Sequence, residues 1–316
     1  MHIALFHWGR IPPTAYGGTE RVVAWLARGL AELGHTVTLV AGRGSRLPEA
    51  RVIEVDAAAA KAPDFDLRPH LPPGVDALLA SAPVRNDPGI PWLVQLHGNS
   101  PPGLTRRKNT LFLSADHACR HGATAYVHNG LDPSELTFRA TKGSADLFLG
   151  RLHREKGWHW AMAGARRAGR PLVIAGGWRP SLRPGLRFVG AVGGARKAEL
   201  LADARMLWMP ALWDEPFGLT LIEALASGTP VLGTRRGSLP EIITPETGRL
   251  GTTLDEMLDA LPEIARIDPE ACRARVLRHF HYRVMAAGQL RMLTGYLRDG
   301  VLPEGELLDA RTLGVA

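Results

Sequence analysis

Cysteine is scarce: Cys119 and Cys272 are the two in the chain, far apart in sequence. Two separated cysteines make no disulfide framework, and neither falls in a zinc-ligand spacing. They read as buried or half-buried thiols of a reducing compartment. No apolar run approaches the roughly 20 residues that a membrane helix needs. The opening residues, MHIALFHWGR, lack the basic start and long apolar stretch of a secretory leader and read as a first strand. Aromatic residues reach only 6%, although eight are Trp. There is no repeat of 20–50 residues, no low-complexity tract and no clustered basic tail. No basic stripe is interleaved with aromatics, which argues against a nucleic-acid module.

What is present fits a globular protein of more than one domain. The chain has 316 residues, 45% of them hydrophobic, which suffices for two ordinary cores. Lys and Arg total 38 against 31 Asp and Glu, a formal charge of +7. That balance is a weak pull toward an anionic partner, such as a phosphorylated small molecule or an anionic lipid.

The apolar pattern alternates between strand and helix. His2 to His7 is a short apolar run, followed by a loop rich in Gly and Pro. Thr19 is a candidate helix N-cap. Val22, Val23, Leu26, Leu30 and Leu33 recur at helical spacing, and Gly34 stops the helix. Residues 36–41 are a second strand, so the chain opens with a βαβ unit and hence a parallel sheet. Further short strands are predicted at 51–55, 77–80, 92–96, 111–114 and 125–128. A polar connection covers 133–144. A second alternating series then follows, with strands near 147–149, 171–175, 186–189, 206–209 and 230–232. Its helices fall at 158–168, 195–204 and 219–226. The tail from 269 to 298 is periodic as helix. Asp116-His117 and His279-Phe280-His281 read as surface helix residues. Two βα series joined by a linker predict two doubly wound domains with a cleft between them.

The segment WDEPFGLTLIEALASG, residues 213–228, carries the most chemistry. Glu215 precedes a proline, which disfavours helix at Glu215 itself. Gly218 permits a tight approach of backbone, and the helix begins near Leu219. Glu223 lies about one turn in. Both carboxylates then face the space above a helix N-terminus, whose free N–H groups and partial positive charge suit an anion. The same pattern also fits an ordinary helix with acids near its start.

Glu215 and Glu223, spaced E-x7-E within EPFGLTLIEALASGTPVL, resemble the donor-site signature of glycosyltransferase family 4, within the glycosyl transferases group 1. FLGRLHREKG (148–157), RFVGAV (187–192), RRGSLPEII (235–243) and TGRL (247–250) resemble further segments of that family. YGGTERVV (16–23), QLHGN (95–99) and VHNGLD (127–132) follow its order in the first half. The resemblance implies the GT-B fold, two Rossmann-like parallel-sheet domains facing across a cleft. The acceptor-side domain is expected at 1–140 and shortened between 43 and 91. The donor domain is expected at 141–285, and a terminal helix crosses back over 286–316.

The resemblance also implies roles. Arg151 and Lys156 bind the donor diphosphate. Glu215 contacts the transferred sugar, assisted by the amides of Phe217, Gly218 and Leu219. Thr220 touches phosphate, Glu223 holds the ribose, and Val189 lies near the base. Gly17 and Gly18 let the first loop approach the phosphates. His97 lies by the reacting face of the sugar, and His7 is a candidate acceptor contact. The implied catalytic set is His97, Arg151, Lys156 and Glu215. The implied reaction is retaining transfer from a nucleotide sugar, UDP favoured on frequency, to an unidentified acceptor: small molecule, lipid-linked or polysaccharide. No cofactor and no metal ligand are assigned, and no nucleic acid is expected. A cytoplasmic place is expected, with peripheral contact at the inner membrane face and oligomerisation left open. Two alternatives stand beside this: a nucleotide-sugar-binding protein without turnover, and a sugar-nucleotide epimerase of the same fold.

Overall fold

The structure, a computed structural model, describes residues 1–14, 17–100 and 107–315. It divides into two compact units, Met1–Leu131 with His279–Ala316, and Asp132–Arg278. The divisions fall at 131/132 and 278/279, against the expected 140/141 and 285/286.

The first unit holds β1 (His2–His7), α1 (Gly18–Glu32), β2 (Thr36–Gly42), β3 (Arg51–Val55), β4 (Ala77–Ala80), β5 (Trp92–Gln95), β6 (Thr110–Leu111) and α2 (Ala115–Cys119). These strands form one parallel sheet in the order β3-β2-β1-β4-β5-β6. The chain winds outward from β1 through β2 to β3, then returns to the other side of β1 with β4. The switch point of this doubly wound sheet therefore lies between β1 and β4, where ligands of open α/β sheets bind. Both faces of such a sheet are covered, so its strands are apolar throughout rather than alternating. Ala4, Phe6, Val40 and Leu78 are all at most 1% exposed.

Four expectations need correction here. The N-cap of α1 is Gly17, in extended conformation and without a side-chain cap, not Thr19. The strand expected at 111–114 ends at Leu111, because Ser114 turns to cap α2 by accepting from the His117 N–H. Of 125–128 only an isolated bridge forms, Tyr126 with Phe112. His117 is not a surface residue. It is fully buried, edge-on to Phe112 and His121.

The second unit holds β7 (Asp146–Leu149), α3 (Trp158–Arg167), β8 (Leu172–Ala175), β9 (Leu186–Phe188), α4 (Gly194–Asp203), β10 (Leu207–Met209), α5 (Leu219–Ala226), β11 (Val231–Thr234), α6 (Leu239–Ile242), β12 (Gly248–Gly251), α7 (Leu254–Asp259), α8 (Leu261–Ile264) and α9 (Pro269–His279). Its parallel sheet has the order β12-β11-β10-β7-β8-β9. The switch point falls between β7 and β10. The core comprises Phe148, Ile174, Trp208 and Leu232 with the facing helices. α3 approaches the sheet through Gly164, where a Cβ would come 2.5 Å from the Trp208 ring.

The periodic tail is two helices, not one. α9 stops at His279, and α10 (Tyr282–Asp299) and α11 (Ala310–Leu313) belong to the first unit. Phe280 between them is fully buried, and His281 caps α10 by accepting from the Arg283 N–H. These two residues are thus not surface helix positions. α10 packs on α1 at Gly29, whose missing side chain admits Ala286 and the Tyr282 carbonyl. Glu32 at the end of α1 accepts from the Tyr282 hydroxyl and Arg283. Among the described residues no helix is long and apolar enough to cross a membrane.

Candidate active site

In the second unit the loops after β7 and β10 flank the switch point, and the expected charged residues lie on them. Gly157, at φ +72°, closes the β7 loop against the β10 loop. A Cβ there would overlap the Pro210 carbonyl, so only glycine permits the approach. The Leu212 N–H donates to the Glu155 carbonyl at 2.7 Å, stitching the same two loops.

This contact delivers Lys156 to Glu215. Lys156 Nζ lies 2.8 Å from Glu215 Oε2 and 4.1 Å from the centre of the Trp213 ring. Trp213 Nε1–H donates to the same carboxylate oxygen at 3.1 Å. The Lys156 and Glu215 side chains are only 16% and 11% exposed, so water screens the pair weakly. A third loop, after β11, braces the acid from behind. The Ser238 N–H donates to the Glu215 carbonyl at 3.0 Å, and Ser238 Oγ donates to the Phe217 carbonyl at 2.8 Å. Gly237, at φ +55°, lets that loop lie against the Glu215 backbone. The RRGSLPEII segment is therefore a backbone brace for the carboxylate.

α5 begins as expected at Leu219, with Gly218 as N-cap at φ +81°. Phe217 is buried; Leu219 and Thr220 are half-buried. Glu223 sits one turn along, 2% exposed. Its carboxylate is bound by Lys197 of α4 at 2.6 Å, with side chains 14% and 3% exposed. The two acids thus each face a lysine of their own. Arg151, two residues beyond β7, is exposed and makes no ion pair among the described residues. Its neighbour Leu152 packs on Gly177. Val189 follows β9 and borders a hollow of about 480 Å³ that Trp178, Arg187, Arg196 and Leu200 also line.

The remaining expected residues lie in the first unit. Gly17 and Gly18 open α1; Tyr16, of the same motif, lies outside the described residues. His7 ends β1, is 5% exposed, and accepts the Gly9 N–H on Nδ1 at 2.9 Å. That bond fixes the neutral ring with its proton on Nε2. Burial pushes its pKa down, against the opposing pull of the Glu20 carboxylate. His97 follows β5, second from the sheet's edge. Its Nε2 is sealed from solvent with no hydrogen-bond partner. Burial, then the nearby His7 and His117, pushes its pKa down to about 3, so it is neutral at pH 7. The expectation that the chain holds no Asp-x-Asp metal motif needs correction as to spacing: Asp64-Phe65-Asp66 is such a triplet. Asp66 is held by Arg68 at 2.7 Å, and Phe65 stacks on Phe6.

Sequence reasoning left Trp213, Lys197 and Ser238 without roles. Lys197 left a signal: it lies four residues before the buried Leu201, on the inward side of α4, where a lysine needs a partner.

Residues 146–266 match the model of the glycosyl transferases group 1. That match covers most of the second unit and less than half of the chain. Glycogen synthase of Mycobacterium tuberculosis is 29% identical over 211 residues, 57% of this chain and 50% of that protein. The chain thus spans about half the length of that relative. Among solved structures, AviGT4, a glycosyltransferase involved in avilamycin A biosynthesis, aligns over 96% of this chain and 99% of its own at a TM-score of 0.75 and 24% identity. Anabaena HepE, solved in complex with UDP-glucose, aligns over 94% and 99% at a TM-score of 0.65 and 15% identity. These likenesses show the GT-B fold class, with two doubly wound units. The matched span runs from β7 through α8 and contains Arg151, Lys156, Lys197, Glu215 and Glu223.

Proposed function

We propose that the protein is a retaining glycosyltransferase of family 4 that transfers a hexose from a nucleotide diphosphate sugar to an acceptor hydroxyl. The observation that carries this reading is the Lys156–Glu215–Trp213 cluster at the switch point of the second unit, beside the N-terminus of α5 and within the span that matches the glycosyl transferases group 1. Lys156 and the exposed Arg151 supply cations for a diphosphate. Glu215 and the amides at the start of α5 suit the hydroxyls of the sugar. Glu223, oriented by Lys197, accepts from the ribose hydroxyls. Val189 and its hollow take the base. HepE, of the same fold, was solved with UDP-glucose, which supports a UDP-sugar as the first donor to test.

In the proposed course the bond from the anomeric carbon to the diphosphate oxygen breaks. Its electron pair stays on the phosphate, where Arg151, Lys156 and the helix end absorb the charge. The acceptor oxygen bonds to the same face of the anomeric carbon, and its proton passes to the departing phosphate oxygen. The chain's contribution is positioning and charge stabilisation, with neither a metal nor a cofactor in the scheme. His97 and His7, both neutral, are assigned to the sugar and acceptor side, with Gly17 and Gly18 allowing close backbone approach. The cytoplasm is the proposed site of reaction, and small molecules, lipid-linked sugars and polysaccharides are the acceptor classes to screen.

The test is transfer or slow hydrolysis of a panel of UDP-, GDP- and ADP-sugars, with and without chelator, followed by proton NMR of the product. Product of unchanged anomeric configuration is expected, unaffected by chelator. Lys156→Ala and Glu223→Ala are each expected to lower turnover about a hundredfold, near 3 kcal/mol in the barrier, with folding intact. Near-normal turnover by both variants would defeat the proposal.

A further inference from the structure

We propose that Trp178, together with Arg187 and Arg196, selects the base of the donor nucleotide, taking the keto bases uracil and guanine over adenine and cytosine. This rests on the donor-site reading above.

Trp178 is 69% exposed, an unusual display for so large an apolar ring. It does not dangle from a loose loop. On one side Gly177 forms an antiparallel bridge with Gly190, and the Gly176 N–H donates to the Gly190 carbonyl at 2.7 Å. On the other side the Arg179 guanidinium lies 4.9 Å from the centre of the Trp158 ring, on α3. A largely exposed ring pinned before and after in sequence is a ready stacking platform, and every base has a π-face to offer it.

The ring borders the hollow of about 480 Å³ beyond β9, a size within the range of small-molecule sites, roughly 300–1,000 Å³. Gly190 supplies bare backbone to its wall, with nothing within 4 Å of where a Cβ would stand. The charged side chains lining it are Arg187 and Arg196. No carboxylate or side-chain amide lines it among the described residues. Guanidinium groups only donate. At the position of guanine O6 or uracil O4 they find an acceptor, whereas adenine and cytosine present an exocyclic amine there and donor meets donor; N7 is an acceptor in both purines, so the discrimination lies at that one position.

The hollow also lies along the proposed path of the nucleotide. Leu152, next to Arg151, packs on Gly177, and Arg196 precedes the Lys197 that holds Glu223. A base stacked on Trp178 thus has the ribose acid and the diphosphate cations within neighbouring segments.

The test is titration of the full chain with UDP, GDP, ADP and CDP, read by calorimetry and tryptophan fluorescence, for the wild type and for Trp178→Ala, Trp178→Phe and the Arg187→Gln/Arg196→Gln pair. UDP and GDP are expected to bind about tenfold or more tightly than ADP and CDP. Trp178→Ala is expected to weaken both by about tenfold, with substantial recovery in Trp178→Phe. The double arginine variant is expected to keep diphosphate binding and lose the preference. Equal binding of all four to the wild type, or unchanged affinity in Trp178→Ala, would overturn the base selection and leave the donor site standing. Binding of none of the four would sink the donor-site reading with it.

Discussion

A carboxylate oxygen that accepts from both an ammonium and an indole has little freedom of direction. Glu215 is in that position, and the cation that holds it is the one assigned to the diphosphate. Glu215 and Glu223 stand in a chain-local spacing, whereas Lys156 was singled out by the resemblance of its segment, FLGRLHREKG, to family 4. Lys197 was not, because its partner lies 26 residues away on the next helix. Chain-local spacing does not reveal which acid a distant lysine will meet. His97 illustrates a property visible only in the fold. Its folded pKa, about 3, lies below the roughly 6.5 of an unfolded imidazole. As pH falls below about 6.5 the unfolded chain takes up a proton that the folded chain does not, so folding loses stability toward acid; above that pH the ring contributes nothing to the slope. Urea midpoints at about pH 7.5 and 4.5 should therefore fall less for His97→Asn than for the wild type. An equal fall would show that His97 is not the neutral buried ring described here.

At the scale of elements, periodicity placed most of the second unit. α5 runs from Leu219 to Ala226 as expected, since Gly218 opens it and Ser227-Gly228 end it by local backbone chemistry alone. Elements that depend on remote pairing were less legible. Residues 125–128 have strand composition, yet only Tyr126 finds a partner. The long tail reads as one helix, although the buried Phe280 interrupts it. The β7 loop is the element that places Lys156, and it rests on Gly157. Gly157→Ala pays both the left-handed cost of about 1–2 kcal/mol and the overlap with Pro210. Gly169→Ala, at φ +64° with open space around it, pays only the first. Chemical denaturation should show Gly157→Ala the more destabilised by about 1 kcal/mol or more. Equal losses would mean that the close approach of the two loops is not the constraint.

At the scale of the whole molecule, two sheets of six strands, each doubly wound from its first strand, put the loops after β1 and β4, and after β7 and β10, at the switch points. The alternation of strand and helix made this class readable from sequence. A return of residues 286–316 to the first unit was implied by family resemblance; the structure begins that return at His279, and the packing of α10 on α1 through Gly29 could be found only in the fold. The central claim is that a nucleotide sugar lies against the second unit between the β7 loop and α5. Hydrogen exchange by mass spectrometry, on the full chain with the nucleotide sugar that most raises its melting temperature, tests this directly. Slowed exchange is expected in the peptides covering 150–157, 187–197 and 213–223. Unchanged exchange in all three, with protection confined to other segments, would contradict it.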